Sequence, residues 1–104
     1  MEIKLEKHSE DSRFCTVSLG DYVKLNFLTC VADVDFEHKP SGDFIYIKEP
    51  YITNENVKFL LLCAYKQLVE FDKDKALEEV KNALEEYCII ANMVNDAYKK
   101  EEEK

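Results

Sequence analysis

The densest run of side chains able to do chemistry is Asp33-Val34-Asp35-Phe36-Glu37-His38. Alternate residues of an extended strand share a side, so Asp33, Asp35 and Glu37 line up roughly 6.6–6.8 Å apart. Carboxylates beside an imidazole are a metal donor set, with His38 as the fourth ligand. Carboxylates along one strand nevertheless splay too widely to chelate a single ion unaided. The same row can face a cationic groove on another protein. The plain alternative is a solvated outer strand face with Val34 and Phe36 turned inward. The reading adopted is partner binding through Asp33, Asp35 and Glu37, with no metal site and no cofactor.

Nucleophilic catalysis finds little support. His8 and His38 are the only histidines, and each sits in a charged turn region. Either could meet Cys15 or Cys30 in space, yet no local pattern ties a base to a nucleophile. Cys15, Cys30, Cys63 and Cys88 form no CxxC pair, so they read as four small buried hydrophobes, reduced in a cytosol. Phosphate-loop, dinucleotide, zinc-protease and serine-elbow patterns are absent. The chain is therefore not expected to be an enzyme, and no catalytic residue is assigned.

Charge narrows the partners. The 104 residues carry 14 basic and 22 acidic side chains, a net charge of −8. Residues 1–52 hold 6 basic and 10 acidic groups and residues 53–104 hold 8 and 12, so neither half conceals a basic surface. Arg13 is the single arginine. Phosphate backbones are bound mainly through lysine and arginine, so direct nucleic-acid binding is not expected. An anionic membrane would repel the chain, whereas a basic protein surface would attract it. The longest apolar runs fall short of a bilayer span, and Met1 to Lys7 alternates charged and apolar residues unlike a signal peptide. An intracellular, cytoplasmic protein is expected.

The elements that must position these residues follow from periodicity. The expected fold is a single α+β domain over residues 1–104. A small antiparallel sheet of 3–4 strands (residues ~2–48) packs on an antiparallel two-helix hairpin (~54–71 and ~74–99), with a solvated tail at 100–104. Ser9–Ser12 reads as a turn, and Gly20-Asp21 as a two-residue hairpin loop that sets Leu19 opposite Tyr22. Apolar parity switches between Phe27 and Ala32, so a bulge or break is needed near Thr29 to Val31. His38 to Asp43 reads as a turn, and Phe44 to Lys48 as the last strand, ended by Pro50.

Thr53 or Asn54 caps the first helix. Its main stripe is Val57, Leu60, Leu61, Ala64, Leu68 and Phe71, and a second stripe is Leu62, Tyr65 and Val69. Two stripes suggest burial on two sides, as a middle layer between the sheet and the second helix. The second helix starts at Asp72 or Asp74 and carries a heptad seam of Leu77, Val80, Leu84, Tyr87, Ala91, Val94 and Tyr98. Paired carboxylates Glu78-Glu79 and Glu85-Glu86 read as its solvated back, or as an acidic ridge. Ile89 and Met93 lie off the seam and can pack on the sheet or on Tyr51–Ile52, or form a docking or dimer patch.

Three functions fit this reading. The first is an acidic, non-enzymatic binding module that occupies a basic nucleic-acid groove on a partner, as counter-defence proteins of phages and mobile elements do. The second is an assembly protein that forms a homodimer through Ile89 and Met93. The third is a metal-dependent enzyme built on Asp33, Asp35, Glu37 and His38.

Overall fold

Five runs of alternating residues pair in sequence order in the computed structural model, which describes residues 3–8, 14–28, 30–37, 39–48, 51–71 and 74–102. The strands are β1 (Ile3–Lys7), β2 (Cys15–Leu19), β3 (Val23–Phe27), β4 (Val31–Phe36) and β5 (Lys39–Tyr46). Every neighbouring pair is antiparallel. The helices α1 (Asn54–Phe71), α2 (Asp74–Glu85) and α3 (Tyr87–Glu102) follow. The α+β class agrees with expectation, but the described residues form five strands and three helices where three to four and two were expected. The expected turn at Ser9–Ser12, the strand end at Pro50 and the helix start at Asp72 lie outside the described residues.

The first hairpin differs from expectation by one residue. Leu19 pairs with Val23, Val17 with Leu25 and Cys15 with Phe27, around a three-residue loop of Gly20, Asp21 and Tyr22. A two-residue loop would set the apolar set of β2 on the face opposite that of β3. The extra loop residue brings all six side chains to one face, where each is at most 1% exposed. Gly20 opens the loop at φ 74, a conformation costly for any residue with a Cβ, and a methyl group there would overlap the Glu79 carboxylate.

The parity switch after Phe27 is a chain reversal. Leu28 N–H donates to the Val31 carbonyl at 2.7 Å, and Phe27 pairs with Ala32, so Ala32, Val34 and Phe36 join the same buried face. The next reversal comes earlier than expected, between Phe36 and Lys39, with Glu37 at φ 47. Of the segment read as a turn from His38 to Asp43, residues 39–43 instead belong to β5, which bulges there: Asp35 pairs with Pro40 but Asp33 with Phe44. Asp43, in that bulge, accepts a hydrogen bond from Gln67 Nε2 on α1.

Thr53 caps α1 as expected, its Oγ1 accepting from Asn56 N–H at 3.2 Å. Val57, Leu60, Leu61, Ala64 and Leu68 are fully buried. The middle-layer expectation is overturned. α1 lies over β4 and β5, α2 over β2 and α3 over β1, so the helices form one layer on one side of the sheet. The main stripe of α1 meets that layer's needs, and Leu62 and Val69 of the second stripe are about half exposed.

The long second helix is broken at Glu86, with no proline or glycine nearby. Glu86 N–H donates to Ala83 O and Ile89 N–H to Glu86 O, both at 3.0 Å. These three-residue spacings are tighter than an α-helical turn. Val80, Ala91, Val94 and Tyr98 of the expected seam are buried, Leu77, Leu84 and Tyr87 are half-buried, and Ala76, Ala83 and Ile90 complete the stripe. No helix among the described residues is long and apolar enough to cross a membrane.

Asn95 ties α3 to the segment entering α1. Its Oδ1 accepts from Ile52 N–H at 2.7 Å and its Nδ2 donates to Ile52 C=O at 2.8 Å. Replacing it with alanine leaves both groups of a part-buried peptide unpaired. Asn95→Ala should lower unfolding free energy by about 2 kcal/mol in urea titration, while Asp96→Ala, exposed on the same helix, should change it by less than about 0.5 kcal/mol.

Candidate partner-binding face

Among the described residues the helices lie on one side of the sheet, and no helix covers its other face. The strand registers arrange it in rows that cross the strands. One row places Lys4, Ser18, Lys24 and Asp35 side by side. The next holds Glu6, Thr16, Asn26, Asp33 and Phe44. The last continues through His8, Phe14, Leu28, Val31 and Tyr46.

A chain of hydrogen bonds runs across this face. Asn26 Nδ2 donates to Asp33 Oδ1 and to Asp35 Oδ2, both at 2.8 Å. Thr16 Oγ1 donates to Asn26 Oδ1 at 2.8 Å, and His8 Nε2 lies 2.7 Å from Thr16 Oγ1. The direction of the chain is set by its acidic end. Two carboxylates require the amide nitrogen of Asn26, which leaves its oxygen to accept from Thr16. The single hydroxyl proton of Thr16 is then committed, so His8 must donate through Nε2–H. Thr16 is thus an acceptor toward His8 and cannot be activated as a nucleophile by it in this arrangement. The network holds the two carboxylates in place.

Asp33 and Asp35 are brought together as expected, each with a second oxygen that has no partner among the described residues. Glu37 is not part of their row. Its left-handed backbone takes it off the strand alternation, its N–H donates to Tyr22 O at 2.8 Å, and its exposed side chain borders a separate cleft with Asp21, Asp74, Lys75 and Glu79. His38 lies outside the described residues. No group of three or more His, Cys, Asp or Glu among the described residues is placed to hold a metal ion. Glu78, Glu85 and Glu86 are exposed, while Glu79 is half-buried beside Gly20.

The Ile89–Met93 pair is divided by burial. Ile89 is 49% exposed and Met93 half-buried, while Ile90, Ala91 and Val94 between and beyond them are core residues. The cysteines also divide, contrary to the reading of four buried hydrophobes. Cys15 is buried, and burial pushes its thiol up to about 11 despite the nearby Lys7 charge. Cys63 is partly buried, and its thiol is raised by burial and by Asp43, with Lys66 opposing. Cys30 and Cys88 are exposed.

Sequence reasoning missed Thr16, Asn26, Phe44 and Tyr46. The misplaced hairpin register set Asn26 opposite Cys15, and the correct one sets it between Thr16 and Asp33. The available signal was that only the corrected register gathers every apolar residue of β2 and β3 on one face. No protein-family model, curated protein or solved structure matches this chain, so the functional reading rests on its own residues.

Two measurements check this geometry. Asn26→Ala should cost about 1–3 kcal/mol of stability, and Asn26→Asp more than Asn26→Ala at low salt, with the gap narrowing as salt screens three adjacent carboxylates. In the folded chain at pH 8, a thiol reagent should modify Cys30 and Cys88 quickly and Cys15 only on unfolding, since a thiol raised to about 11 holds little thiolate there.

Proposed function

We propose that this chain is a non-enzymatic, acidic protein-binding module that occupies a basic, nucleic-acid-binding surface of a partner protein and so inhibits it. The observation that carries the reading is the Asp33–Asp35 pair on the sheet face away from the helices, both held by one Asn26 amide, each with a second oxygen that has no partner among the described residues. Carboxylates already ordered lose little conformational freedom when a cation binds them, which favours tight pairing. The overall charge of −8 adds attraction at a distance toward a cationic groove. A counter-defence protein of a phage or mobile element, acting inside a cell, would work in this way.

A second reading, assembly of a homodimer through α3, draws on the half-exposed Ile89. It is the weaker of the two, because Met93 is already half-buried and one such side chain falls well short of a stable interface.

The experiment uses the full chain immobilised to capture its partner from the native host. Asp33→Asn with Asp35→Asn should weaken capture about tenfold at low salt, with the difference shrinking as salt rises, and added DNA or RNA should compete. Glu37→Gln alone should have the smaller effect. Capture of the double variant unchanged across the salt range would end this reading.

A further inference from the structure

We infer that the partner element received by the open sheet face presents arginine, rather than lysine, beside an apolar residue; this deepens the basic-partner reading and rests on it. An outer sheet face in contact with water ordinarily alternates to polar residues. Here Phe44 and Tyr46 are 53% and 68% exposed on β5, their rings edge to face at 5.5 Å. Phe44 is the direct cross-strand partner of Asp33, and Tyr46 that of Val31. The row through Tyr46 continues across Val31 and Leu28 to Phe14, which packs against His8 with ring centroids 4.5 Å apart. The face therefore offers three things together: ordered carboxylate oxygens, an aromatic ring in the same row, and an apolar strip one row away.

A guanidinium matches the first two at once. Its fork can take the carboxylate oxygens not bonded to Asn26, those of Asp33 above all since Lys24 neighbours Asp35, while its plane lies against the Phe44 or Tyr46 ring. An ammonium can pair with the carboxylate, but it is more strongly hydrated and stacks less well. The apolar strip fits a hydrophobic side chain next to the arginine on the same element. Exposed aromatics on an open sheet can also stack the bases of single-stranded nucleic acid. Asp33 and Asp35 stand in the adjoining positions and would repel its phosphates, so the protein cation is favoured.

The test is an amide chemical-shift titration of the full chain with three probes: a short capped peptide alternating arginine and leucine, its lysine counterpart, and a short oligothymidylate. The arginine peptide should bind about five- to tenfold more tightly than the lysine peptide. Its shifts should centre on Asn26, Asp33, Phe44 and Tyr46. Phe44→Ser with Tyr46→Ser should bring the two peptides to equal affinity; both rings are more than half exposed, so the urea midpoint should hold and confirm that the variant folds. Equal affinity of the two peptides for the unaltered chain overturns the arginine assignment while leaving a basic partner in place. Binding of the oligothymidylate at Tyr46, or no shift with either peptide, also overturns it. The parent reading fails separately, when Asp33→Asn with Asp35→Asn leaves both peptides bound as before.

Discussion

Burying the apolar side of one antiparallel sheet under a single layer of helices is the constraint from which the remaining features follow. Cys15, Val17, Leu19, Val23, Leu25, Phe27, Ala32, Val34 and Phe36 must all reach that side, since each is at most 5% exposed. A strand shifted by one residue would turn its whole set outward, and fully burying a single side chain of this kind is worth roughly 1.5–3 kcal/mol. The loop lengths at Gly20–Tyr22, between Leu28 and Val31, and between Phe36 and Lys39 are those that keep the sets in phase. The bulge in β5 belongs to the same accommodation, and it turns Asp43 toward Gln67 on α1.

The polar network is the other consequence of that phase. Once the apolar residues of β2, β3 and β4 face the helices, Thr16, Asn26, Asp33 and Asp35 face outward on three adjacent strands. Two like charges side by side are unfavourable, and the Asn26 amide offsets this by donating one hydrogen to each. The result is an ordered anionic pair bordered by aromatic rings, on a face that no helix among the described residues covers. The hydroxyl proton of Thr16 is committed to Asn26 Oδ1, which extends the same ordered chain onto β2.

The helical layer serves mainly to close the core. The break at Glu86 lets α2 follow β2 while α3 turns to cover β1, and Asn95 and Tyr98 fasten α3 to the Ile52 peptide and the Leu28 carbonyl. Phe59, Leu62 and Val69 remain about half exposed on α1. Phe59 and Leu62 are neighbours one turn apart on the helix surface, and the exposed Lys66 stands between Leu62 and Val69.

The sequence by itself determined the α+β class, the extent of α1 from Asn54 to Phe71, the need for a break after Phe27, and the pairing of Asp33 with Asp35 on one strand side. These depend on local periodicity and caps, which a single segment carries in full. Only the tertiary structure decided the hairpin register, the departure of Glu37 from the acidic row, the split of the second helix, and the one-layer packing of α1. Each of these is a choice between local conformations of similar energy, settled by which one fills the core shared with a distant segment. The Asp33–Asp35 pair shows the division most clearly: alternation alone set the two carboxylates side by side, while the amide that holds them arrives from a neighbouring strand whose register the core imposes.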